Sequence, residues 1–174
     1  MDLLKEHLVL IGFMGVGKTT LGQALANHMG ISYIDTDDLI VQKEKSDIPT
    51  IFAKKGEHYF RKIESQVFLK TLGQKPFSVI STGGGIVLSE KNRSAMKEQM
   101  VIWLQASVDE IYKRISNNGD RPLLKNGTDV KRNILDMMNE RHALYEQVAN
   151  FSIDTDQKSI NQMIEEILQM LNLK

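Results

Sequence analysis

The chain has 174 residues, 41% hydrophobic and 25% charged, which suits one compact domain and is too short for two ordinary ones. Its 22 basic and 22 acidic residues cancel, so no global positive field draws in nucleic acid or an anionic membrane, and an anionic substrate would have to be caught by a few placed arginines. The absence of cysteine excludes disulfides, thiolate metal sites and cysteine nucleophiles together.

Met1 to His7 carries charges of both signs with no long apolar run behind it. No signal peptide is therefore expected, no apolar stretch approaches membrane-spanning length, and a cytoplasmic setting is expected. There is no internal repeat, low-complexity segment or linker-like stretch. Leu8 to Ile11 is a continuous apolar run, as in a strand buried on both faces of a parallel sheet. A glycine-rich turn follows, and then Leu21, Leu25 and Met29 fall four apart on one helical face, with Gly30 placed to cap it. Ser32 to Ile34 predicts a short second strand ahead of the polar Asp35-Thr36-Asp37-Asp38. Leu39–Lys45 and Pro49–Lys55 read as short helices, Pro49 being tolerable in a first turn. Phe60, Ile63, Val67 and Phe68 make the apolar face of a longer helix.

Ser78 to Ser81 predicts a third strand running into Thr82-Gly83-Gly84-Gly85, and Met100 to Leu104 a fourth. Ser107 with Glu110 forms a capping-box pattern before the helix carrying Ile111, Tyr112 and Ile115. Residues 117–128 are polar and rich in loop formers. A helix from about Val130 to Val148 leads to a fifth strand at Phe151 to Ile153, and a last helix buries Ile160, Met163, Ile164, Ile167 and Leu171. Strand and helix alternating through five strands implies an α/β domain, with parallel strands, right-handed crossovers and helices on both faces. In such sheets the chemistry sits past the carboxyl ends of the strands, where three of the polar motifs fall.

Gly12-Phe13-Met14-Gly15-Val16-Gly17-Lys18-Thr19 matches the Walker A pattern, with an apolar strand before it and an amphipathic helix after it. Gly12, Gly15 and Gly17 let the backbone curl so that its N–H groups, Val16 included, face phosphate oxygens. The following helix, through Lys18, Thr19 and Thr20, adds its positive end. Lys18 would meet the β- and γ-phosphates of ATP and Thr19 would ligate Mg²⁺. A guanine-nucleotide switch would also show Asn-Lys-x-Asp, which does not occur here, and the length leaves little room for motor or transporter machinery.

Five further motifs stand behind this cradle: Asp35-Thr36-Asp37, Phe60-Arg61 with Glu64, Gly83-Gly84-Gly85, Arg121-Pro122-Leu123-Leu124, and Arg141 with Leu144-Tyr145. In kind, order and spacing they resemble shikimate kinase, from about Leu8 to Asp156. The resemblance implies a nucleoside monophosphate kinase-like P-loop fold with strand order 2-3-1-4-5. It also implies ATP-dependent phosphorylation of the 3-hydroxyl of shikimate, within aromatic amino acid biosynthesis, with one Mg²⁺ ion.

By that resemblance Arg61 and Arg141 hold the substrate carboxylate, for which a planar guanidinium is suited. Asp37 orients the attacking hydroxyl and takes its proton, and Asp35 reaches Mg²⁺ through water. Gly83, Gly84 and Gly85 bring backbone N–H groups close to the acceptor, while Phe52 and Phe60 wall its pocket. Residues 117–128 resemble a lid that brings Arg121 onto the transferring phosphoryl. Residues about 35–65 form the acceptor-binding region, Arg114 stacks on adenine, and Asp154-Thr155 edges the base.

Plainer readings stand beside these. Arg61 has Glu57 and Glu64 at ion-pair spacing on its own helix. Arg141 could lie on a solvated helix face, the aspartates could cap a helix, the glycines could form a loose turn, and Phe52 and Phe60 could be core. His7, His28, His58 and His142 lack metal-ligand spacing and read as structural or surface residues. ATP and shikimate are the expected partners, with no nucleic acid or membrane, and a monomer is expected. The rival activities are another small-molecule kinase of this fold, such as one acting on gluconate, and a non-catalytic nucleotide-binding module.

Overall fold

The apolar runs form five parallel strands: β1 (Leu8–Gly12), β2 (Ser32–Asp35), β3 (Ser78–Ser81), β4 (Met100–Gln105) and β5 (Phe151–Asp154). In the computed structural model, which describes residues 6–116 and 129–172, they form one sheet in the order β2-β3-β1-β4-β5. β1 is central, with Leu10 opposite Ser81 on one side and Ile102 on the other. Its alternate residues feed two cores. Leu8 and Leu10 pack with Leu21, Leu25, Ile111 and Ile164 on one face. Val9 and Ile11 pack with Phe68, Ile80, Trp103 and Tyr145 on the other.

The helices are α1 (Lys18–Met29), α2 (Thr36–Glu44), α3 (Ile48–Leu72), α4 (Glu90–Met96), α5 (Val108–Ser116), α6 (Val130–Val148) and α7 (Ile160–Met170). Gly30 closes α1 in the left-handed conformation, as its position predicts. Gly56, at φ 79° and ψ 168°, leaves the helical conformation and divides α3 into the two helices read at Pro49–Lys55 and around Phe60. One expectation needs correction. The box before α5 is half made. Ser107 Oγ accepts from Glu110 N–H, but the Glu110 carboxylate turns to Arg114 instead of reaching back.

A 3₁₀ turn at Ile86–Leu88 and the short helix α4 were not anticipated. A third apolar cluster, with Ile40, Ile51, Phe60, Ile63 and Val67, ties α2 to α3 and sets both beside the carboxyl end of the sheet.

Candidate active site

The P-loop turns between β1 and α1 at the point where the chain's strand order reverses, with β3 on one side of β1 and β4 on the other. Gly12 and Gly17 have φ of 143° and 102°. A Cβ on Gly12 would run into the Leu104 carbonyl, so strain and space both demand glycine there. Lys18 is buried, and its Nζ donates to the carbonyls of Gly12 at 2.8 Å and Phe13 at 3.0 Å.

One crevice of about 1020 Å³ opens here. Met14 to Thr20 line one end, together with Arg114, Thr155 and Lys158. Asp37, Phe52, Phe60, Arg61, Glu64, Gly83 to Gly85 and Arg141 line the other. The P-loop and the residues expected to hold the acceptor thus face the same space. Gly12 and Asp154 are not on its wall. Gly12 acts through the turn, and Asp154 uses its carboxylate to accept the Asp156 N–H while its neighbour Thr155 reaches the crevice. Arg121 and the expected lid fall outside the described residues.

Gly84 is the joint between the two ends. A Cβ there would lie 3.1 Å from the Met14 nitrogen and 3.4 Å from the Gly12 oxygen, so the glycine triplet lies directly against the P-loop backbone. The Gly84 carbonyl accepts from Arg141 Nη1 at 3.2 Å and from the Tyr145 hydroxyl at 2.5 Å. Burial pushes the Tyr145 phenol up to about 12, so it stays a donor. Arg141 is only 7% exposed and its guanidinium stands 5.7 Å over the Phe13 ring, which removes the solvated-face reading. The glycine triplet is no loose turn either. The Thr82 N–H and hydroxyl both donate to the Leu10 carbonyl, and a Cβ on Gly85 would strike the Arg61 guanidinium.

Arg61 makes the ion pairs its spacing allows while lining the crevice. Nη1 meets Glu64 at 2.8 Å and Nη2 meets Glu57 at 3.2 Å. Its guanidinium lies 5.2 Å from the Phe60 ring centre and 6.0 Å from that of Phe52. Phe60 is 4% exposed and serves both as core and as wall. Glu64 is 1% exposed, and its Oε1 has no hydrogen-bond partner among the described residues. Burial holds its carboxyl above the ordinary range, with Arg61 and then Arg141 pulling the other way. For Arg61, burial disfavours the charge but the Glu64 and Glu57 carboxylates outweigh it and raise its pKa. The guanidinium stays protonated at any relevant pH, so within this pair it is the Glu64 charge that burial burdens.

Asp35 caps α2, its Oδ1 accepting the Asp37 N–H at 3.0 Å, so the capping reading holds for this residue. Its Oδ2 faces α1 and accepts from the Thr19 hydroxyl at 3.2 Å and the Tyr33 hydroxyl at 3.0 Å. Burial pushes the Tyr33 phenol up to about 12; the Ser81 hydroxyl lowers it and the Asp35 carboxylate raises it further. Arg114 joins the P-loop to the loop after β5. Nη1 donates to Val16 O at 3.1 Å and Thr155 Oγ1 at 3.2 Å, while Nε pairs with Glu110 at 2.8 Å.

Among the residues not singled out from sequence, Tyr33 carried a readable signal. It precedes Asp35 by two in a strand, which puts both on one face. Lys158, paired with Glu166 at 2.6 Å, carried none.

Among the described residues no three or more His, Cys, Asp or Glu are gathered to hold a metal by themselves. The touching Thr19 hydroxyl and Asp35 carboxylate are hard oxygen donors. They fit an ion such as Mg²⁺ that keeps waters and binds largely through phosphates.

Comparison with known proteins agrees with this geometry. A family model described as shikimate kinase matches residues 14–172. A shikimate kinase of Enterococcus faecalis is 43% identical over 95% of this chain and 98% of its own. One of Histophilus somni is 38% identical over 98% of each. The structure of Acinetobacter baumannii shikimate kinase in complex with shikimate matches with a TM-score of 0.91 and 32% identity, covering 98% of this chain and 95% of that one.

Proposed function

The chain belongs to the shikimate kinase family of ATP-using kinases, and on that premise we propose that it transfers the γ-phosphoryl of ATP to the 3-hydroxyl of shikimate, a step in aromatic amino acid biosynthesis. The observation that carries this reading is the single crevice with the P-loop at one end and Asp37, Arg61 and Arg141 at the other.

The roles follow from chemistry. Lys18 exchanges its two carbonyl bonds for phosphate oxygens, a stronger charge-assisted contact. Arg61 and Arg141 take the acceptor carboxylate, and the backbone of Gly83 to Gly85 lets the acceptor approach where side chains would collide. Phe52 and Phe60 bound the ring. Asp37 receives the proton of the attacking hydroxyl as the new O–P bond forms and the β,γ-bridging bond breaks, leaving ADP. Phosphoryl transfer runs through a loose transition state, so holding the reactants in line matters more than a strong base. Arg121 enters from the sequence alone, as the cation closing on the phosphoryl. Arg114 and Thr155 bound the base.

We assign one Mg²⁺ ion to Thr19 and, through water, Asp35. When bound it supplies charge neutralisation on the β- and γ-phosphate oxygens. The zero net charge and the lack, among the described residues, of a helix long and apolar enough to cross a membrane support two small-molecule substrates as partners. We read the protein as a cytoplasmic monomer.

An ADP-release assay offering shikimate, gluconate and nucleoside monophosphates tests the assignment. Turnover with shikimate exceeding the others by at least tenfold is expected. Faster turnover with gluconate or a nucleotide would transfer the site to another acceptor, and no ADP release with any would leave a nucleotide-binding module.

A further inference from the structure

We propose that Tyr33 is a positioning residue for the metal-side carboxylate, setting through its hydroxyl how tightly this chain binds metal-loaded nucleotide. The proposal rests on the assignment of Thr19 and Asp35 to the ion. An ionised carboxylate offers about four lone-pair directions. In Asp35 the Oδ2 pair is taken by the Thr19 and Tyr33 hydroxyls, and one on Oδ1 by the Asp37 N–H. One direction is then left for a metal-bound water, and the carboxylate can neither rotate nor slide without breaking one of three bonds. Tyr33 is the member of this set with no other assigned task. Thr19 would ligate the ion and Asp37 would serve the acceptor, whereas the phenol touches neither.

A second observation shows that the ring's seat is built. Tyr33 lies against Gly22 of α1, where a Cβ would come 2.7 Å from Tyr33 Cε2 and 3.1 Å from Leu10 Cδ1. Gly22 is buried inside a helix with an ordinary helical backbone, where alanine would normally be preferred. Its lack of a side chain therefore makes room for the ring. Thr19 and Gly22 are three apart on α1, and Tyr33 and Asp35 two apart on β2, so the two pairs face each other.

Partners behind a metal's immediate ligands commonly change metal affinity or activity by about 10–100-fold when removed. Tyr33→Phe keeps the packing and deletes the hydrogen bond. Calorimetric titration of wild type and variant with ADP, with and without Mg²⁺, reads the effect directly. Expected is an approximately tenfold loss of MgADP affinity with metal-free ADP binding within twofold of wild type. The Mg²⁺ concentration giving half-maximal turnover should rise in parallel. Gly22→Ala, which pushes the ring away, should reproduce the same selective loss. Equal losses with and without metal would make Tyr33 a mere packing residue, and unchanged MgADP affinity in Tyr33→Phe would refute the proposal. A wild type whose ADP binding ignored Mg²⁺ would overturn the metal assignment itself, a result distinguishable from either.

Discussion

Adding one methyl group at Gly83 should separate the two ends of the crevice. Gly83 is not in a left-handed conformation, so alanine is conformationally allowed and its cost there is contact alone. The new Cβ would lie 2.7 Å from Glu64 Oε1 and 3.0 Å from Asp37 Oδ1, distances at which something must move. Glu64 is buried and holds Arg61 Nη1 at 2.8 Å, so displacing it shifts the guanidinium as well. Overpacking of this kind costs about 1–3 kcal/mol. If that falls on the acceptor end, affinity for shikimate drops roughly fivefold to 150-fold, at about 1.4 kcal/mol per tenfold. Lys18, Thr19 and Arg114 make no contact with the added atom, so ADP affinity should stay within twofold. Steady-state KM for shikimate beside calorimetric ADP binding measures both. Equal losses for the two ligands, or no loss for shikimate, would refute the claim that Gly83 is glycine because of the acceptor-side carboxylates.

Lys18→Met should reduce transfer by at least a hundred- to a thousandfold, the scale of losing one preorganised charge donor, with an unchanged circular dichroism spectrum; substantial residual turnover would contradict the cradle assignment. Arg61→Ala should raise KM for shikimate more than tenfold while leaving ADP affinity nearly unchanged, and parallel losses in both would remove it from the acceptor site. Glu64 gives a pH test. Its folded pKa is raised, so the stability it contributes is fully present below the ordinary carboxyl value of 4.5 and is lost as pH rises through the higher folded value. Glu64→Gln is neutral throughout, so its urea midpoint relative to wild type should climb from about pH 4 toward neutrality; a constant difference would show that burial does not burden the charge.

What could be read in the sequence is what is encoded by neighbours in the chain. The Walker A pattern is eight consecutive residues, and buried parallel strands announce themselves as unbroken apolar runs, as at Leu8 to Ile11. The break between Lys55 and Phe60 was visible too, and Gly56 makes it by leaving the helical conformation at φ 79° and ψ 168°. α4 escaped notice because its seven residues bury little beyond Asn92 and Met96, although Ser89, whose hydroxyl accepts the Asn92 N–H, was a usable start signal. The burial of Arg141 was not legible, because it depends on Phe13 and Gly84, far away in sequence. Nor was the meeting of the glycine triplet with the P-loop backbone, which follows from β3 pairing directly beside β1.

Two sequence readings of Arg61, an ion pair on its own helix and a clasp for an incoming carboxylate, at first compete. The geometry reconciles them through the unequal burial of its two partners. The Glu57 side chain is 62% exposed, and a pair of that kind is worth little because water replaces either partner cheaply. Glu64 is 1% exposed and cannot be rehydrated, so breaking its contact would strand a buried charge. On the role proposed for Arg61, an arriving carboxylate would displace Glu57 from Nε and Nη2 and leave Nη1 anchored on Glu64. The guanidinium is held in plane before the acceptor comes, and the cost of ordering a long side chain is met by folding rather than by binding. Lys18 on its two carbonyls, and Arg114 on Val16, Thr155 and the Glu110 carboxylate, are likewise oriented before any ligand comes. On the proposed roles, a neutral chain would catch two anions in one crevice through a few site cations preoriented on partners of graded strength, not through a basic surface.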